Sequence, residues 1–81
     1  MKLLGTMRFI SNAGDVYKYE IYQAQGTYFA VIYKQEDIVD VNGVTHRGVW
    51  VQINGNYQIN QTNIPHCEMA CESHFDSNYK N

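Results

Sequence analysis

From Leu3 to Ile59, apolar and polar residues alternate with a period near two, and clusters of turn formers interrupt them; beyond Ile64 the period becomes helical. Residues 3–10 read as a first strand, with Leu3, Met7 and Phe9 on one face. Ser11-Asn12-Ala13-Gly14-Asp15 is rich in turn formers and predicts a reversal. Residues 16–23 and 27–34 then form a hairpin. Ala24-Gln25-Gly26 suits a three-residue loop, with glycine in the left-handed third position. That loop sets Gln23 opposite Thr27, Ile21 opposite Phe29, Tyr19 opposite Val31 and Tyr17 opposite Tyr33, all on one face.

A second hairpin signal follows at residues 38–46. Asn42-Gly43 lies between valines, which favours a two-residue loop pairing Val41 with Val44 and Val39 with His46. Extended inward, that register pairs Lys34 with Val51 and sets the core face of one strand against the outer face of the next. Either a β-bulge at Gln35–Asp37 restores the alternation, or the hairpin is a separate arm projecting from the sheet. Residues 48–53 alternate again, Asn54-Gly55-Asn56 reads as a turn, and residues 57–60 return as a last strand.

Residues 64–78 change period. Ile64, Cys67, Cys71, Phe75 and Asn78 share a helical stripe, with Ala70 and His74 at its edges. Thr62 or Asn63 caps the start, Pro65 fits a first turn, and residues 77–81 are expected to fray. The fold class is therefore α+β: a four- to five-stranded antiparallel meander with one C-terminal helix packed on one face, in a single domain spanning residues 1–81. The helix is expected to bury Cys67, Cys71 and Phe75 against Met7, Ile21, Phe29 and Val51. The opposite face then carries Arg8, Lys18, Glu20, Tyr22, Tyr28, Ile32, Trp50 and Gln52.

Composition narrows the function classes. The chain has 81 residues, 44% hydrophobic and 14% aromatic, with seven tyrosines. A chain this short has a thin core. The formal charge of −2 argues against a non-specific nucleic-acid binder, which needs a basic stripe to displace counterions. The first residues lack the apolar core of a signal peptide, and no run approaches a membrane span. A cytoplasmic protein with reduced thiols is expected, with no membrane or nucleic-acid partner. The Asn60-Gln61-Thr62 sequon then reads as chance.

Candidate chemistry is sparse. Cys67, Cys71 and His74 project from one helical face, and with His46 or His66 they make a zinc-type donor set. Two cysteines on the packed face of a helix more often behave as small hydrophobes, and the spacing matches no common zinc module. Cysteine–histidine or Ser73–His74–Asp76 nucleophile sets lack any surrounding hydrolase signature. Glu36, Asp37 and Asp40 form an acidic cluster without the glycine and distal glutamate of a calcium loop. Neither a cofactor nor an enzymatic activity is expected.

The remaining expectation is a non-enzymatic interaction module that binds a protein partner or itself. Tyr22, Tyr28 and Trp50 would be anchors, and Arg8 and Lys18 orienting charges. Asn42 and Gly43, at the tip of a protruding hairpin, supply a second contact. In size and style the chain is comparable with short accessory and inhibitor proteins of phages and mobile elements, a likeness of scale only. The alternative is a small metal-binding or thiol-based regulator using Cys67, Cys71 and His74.

Overall fold

A computed structural model describes residues 1–81. Four antiparallel strands, β1 (Lys2–Ile10), β2 (Val16–Ala24), β3 (Thr27–Val39) and β4 (Thr45–Ile59), form one open sheet in sequence order, and helix α1 (Ile64–Asn78) packs on one face. The α+β meander anticipated from the periodicity is the fold, with four strands, the lower of the two expected numbers.

Both hairpin loops differ from expectation by one residue, in opposite directions. The β2–β3 loop has two residues: Ala24 pairs with Thr27, and Gln25 and Gly26 carry φ of 52° and 77°. Two successive positive φ values make a type I′ turn, whose twist matches that of the flanking strands. Pairing now runs Ile21 with Ala30, Tyr19 with Ile32, Lys18 with Tyr33 and Tyr17 with Lys34. Phe29, Val31 and Tyr33 therefore leave the helix-bearing face, while Tyr28, Ala30 and Ile32 join it. This corrects the expected placement of Tyr28, Phe29 and Ile32. Burial selects the register: fully buried Ala30, Cys67 and Cys71 are all small, and they let the helix sit close to the sheet.

The Asn42-Gly43 loop has three residues instead. Asp40 and Val44 pair across it, and Gly43 takes the left-handed position at φ 80°. The Asp40 carboxylate explains the extra residue, because Oδ1 accepts from the backbone of both Asn42 and Val44, at 2.9 and 3.0 Å. Lys34 does pair with Val51, as the extended register requires. The shorter β2–β3 loop has already moved Lys34 to the helix-bearing side, so no mismatch of faces arises. A bulge still falls where one was expected, between Glu36 and Ile38. Gly48 occupies it at φ 67°, and its N–H donates to Asp37 Oδ1 at 3.0 Å. The 38–46 hairpin is therefore the far end of β3 and β4 rather than an independent unit.

Asn54-Gly55-Asn56 is not a turn. β4 runs through it as a bulge, which brings Tyr57 opposite Ala30 and Ile59 opposite Tyr28. A reversal there would have stripped the first half of β3 of its partner and left Ile59 outside the core. Running on instead satisfies those backbone groups and buries Ile59.

The core consists of Tyr17, Tyr19, Ile21, Ala30, Ile32, Ile59, Cys67, Cys71 and Phe75. Phe9 stacks on Phe75 with centroids 4.8 Å apart and meets Tyr19 edge-on at 5.4 Å. Met7 and Ile21 lie beneath the helix as expected, whereas Val51 lies outside the buried cluster. Asn63 caps α1, its side chain accepting from His66 N at 3.0 Å, with Pro65 in the first turn. The last residues are docked rather than frayed: Tyr79 stacks on Tyr17 at 5.0 Å, and Asn12 N donates to Lys80 O. No helix is long and apolar enough to cross a membrane.

Candidate interaction surfaces

The face away from α1 is built by cross-strand rows. Arg8, Lys18, Tyr33 and Gln52 form one row, and Leu3, Tyr22, Phe29 and Gln58 another. Tyr22 and Phe29 stack with centroids 5.5 Å apart and planes 19° from parallel. Trp50 reaches over the sheet from β4. The Lys18 ammonium sits 4.6 Å from the ring centres of both Trp50 and Tyr33, and the Arg8 guanidinium 5.3 Å from that of Trp50. Each such contact contributes on the order of 0.5–1 kcal/mol at an exposed site. Glu20 is the one acid among them, 3.7 Å from Lys18 and hydrogen-bonded by the Tyr22 hydroxyl at 3.1 Å. Partial burial, with the Glu20 carboxylate beside it, raises the Tyr22 phenol above its ordinary value.

Of the anchors expected from sequence, Tyr22, Trp50, Arg8 and Lys18 share this open face. Tyr28 does not; it packs against the core beside Ile59. Phe29, Val31 and Tyr33 belong here and were missed. The conflict at Lys34 and Val51 was the available signal, because a one-residue change in the first loop removes it and turns those three residues outward.

Asn42 and Gly43 stand at the tip of a second surface. Pairing of β2 with β3 ends at Lys34, so the ribbon from Glu36 to Val39 and from Thr45 to Val49 has only two strands. Its end is apolar and open to water: Ile38, Val39, Val41 and Val44 are all exposed, Val41 completely. Three acids flank them, Glu36, Asp37 and Asp40; Arg47 is the one cation within the segment, and Lys34 at its base pairs with Glu36 at 3.1 Å. The segment 36–48 thus holds the whole formal charge of −2, and the rest of the chain is balanced. His46 Nε2 lies 2.9 Å from Asp40 Oδ2, and this contact, together with the loop amides, holds the Asp40 carboxyl below its ordinary range.

The cysteine–histidine set is part of the core. Cys67 and Cys71 are unpaired and fully buried, and burial pushes the Cys71 thiol up to about 12. A thiol in that environment is a poor nucleophile and a poor ligand. His74 points elsewhere: its Nδ1 is 2.7 Å from the Tyr19 hydroxyl, and its ring packs on Tyr57 at 4.2 Å. No group of three or more metal-ligating side chains converges anywhere in the structure. The largest depression, about 580 Å³ alongside Tyr57, Met69, Ser73 and His74, is shallow and lined mostly by polar side chains. No family model, curated protein or solved structure matches the chain.

Proposed function

We propose that this chain is a non-enzymatic protein-interaction module whose open sheet face is its docking surface. One observation carries the reading. The face lacks a covering layer, yet it presents five large apolar or aromatic side chains, Tyr22, Phe29, Val31, Tyr33 and Trp50, with Arg8 and Lys18 held over the rings. Aromatic and arginine anchors set in a rigid, half-desolvated surface are what protein hot spots are made of. Mutual stacking limits the conformational entropy that binding must remove.

A benzophenone side chain placed at position 22 and irradiated in cells tests this. Discrete adducts with a protein, whether another chain or a second copy of this one, are expected. They should be absent when the same group replaces Ala13, in the exposed β1–β2 turn. Equal labelling at both positions would overturn the reading.

A further inference from the structure

The two surfaces are complementary to each other. The open face is aromatic and carries two cations against one acid, and the arm formed by residues 36–48 is acidic with an apolar tip. Resting on the interaction reading above, we infer that the occupant of the open face is a second copy of this chain, which lays its arm across Arg8, Lys18 and Trp50. Under a twofold axis each copy gives an arm and receives one, so the two contacts close the pair.

Further observations support a second copy. The monomer buries little of itself: ten of its 81 residues are buried. Its radius of gyration is 14.1 Å, whereas a compact chain of this length has about 12 Å. Chains of this size commonly draw extra stability from a disulfide, a metal or association, and both thiols here are unpaired. An isolated two-stranded ribbon is marginal in water, and this one also exposes Ile38, Val39, Val41 and Val44; covering it removes both costs. A stable dimer needs about 1,200 Å² in all, or roughly a ninth of each copy's 5322 Å², which an arm and a receiving face can supply together.

The test uses sedimentation and the single tryptophan, Trp50, whose emission reports directly on the open face. The intact chain at about 100 μM should sediment as a dimer, and its emission should shift to the blue as concentration rises. An arm variant, Val41→Lys with Val44→Lys, changes only exposed tip residues and sets cations against Arg8 and Lys18; it should weaken the dimer at least tenfold and hold the emission at its dilute position. A face variant, Arg8→Glu with Lys18→Glu, should do the same to association. Mixed in equal amounts, the two variants should regain a dimer, because one intact arm then meets one intact face.

If the intact chain is a monomer at about 100 μM, the second copy is overturned. In that event, a position-22 adduct with a different protein leaves the interaction reading standing, and the lack of any adduct removes it as well. A mixture that stays monomeric while the intact chain dimerises overturns the placing of arm on face.

Discussion

Among single residues, Tyr19 and His74 show how the core handles polarity. Both are aromatic rings with one polar handle, and each satisfies the other through a 2.7 Å hydrogen bond under the helix. Burial alone lowers the His74 pKa, so the folded state holds the imidazole neutral among Tyr19, Tyr57 and Tyr79. The sign of the pH effect follows. Above the ordinary value of 6.5 neither folded nor unfolded chain carries the proton, and stability does not depend on this group. Below it the unfolded chain takes the proton first, so stability falls with pH until the folded imidazole also titrates. Chemical denaturation between pH 7.5 and about pH 5 should show that decline, and His74→Gln should flatten it. An unchanged slope in the variant would show that another group dominates.

At the scale of elements, loop length was the decision that local sequence left open. Ala24-Gln25-Gly26 supports a two- or a three-residue loop, and glycine serves either, because both end on a left-handed residue. Gln25 at φ 52° is the costly member, since a long side chain is uncommon in that region. Gln25→Asn should therefore stabilise the fold by a few tenths to about 1 kcal/mol, read as a higher denaturation midpoint with unchanged slope. If the loop had three residues, with residue 25 in the right-handed region, the same change would be neutral or unfavourable. Asn42-Gly43 shows the reverse case: the preferred hairpin dipeptide is overridden by a neighbour, Asp40, whose carboxylate ties down two loop amides. The sequence showed where both turns lie but not how many residues each takes.

For the molecule as a whole, the two sheet faces should respond differently to truncation. Ile21→Ala opens a cavity beneath α1, where the side chain is almost wholly buried, and should cost about 2–5 kcal/mol. Tyr22→Ala, its neighbour on the open face, removes a half-buried ring stacked on Phe29 and should cost clearly less in the dilute monomer. Paired thermal melts at low concentration make the comparison. Equal losses would mean that the open face is core, and the docking surface would have to be sought elsewhere. At high concentration Tyr22→Ala should lose additional stability relative to the intact chain, because it damages the receiving surface as well.

The amino-acid order by itself determined the α+β class, the helix over 64–78, three of the four expected reversal points and the membership of Arg8, Lys18, Tyr22 and Trp50 in one face. Each of these depends on a period or a turn residue within a few positions of the chain. Tertiary structure decided what a single-residue shift controls. It chose which of Tyr28 or Phe29 meets the helix, whether β4 passes through Asn54–Asn56, and how the acidic, valine-tipped ribbon stands beyond the sheet. The physical reason is that strand pairing has a period of two. A one-residue change in a loop reverses a whole face, and local energies there differ by less than the burial of one side chain. The choice fell to the contact between sheet and helix, where Ala30, Ile32, Cys67, Cys71 and Ile59 fit together with almost no surface left in water.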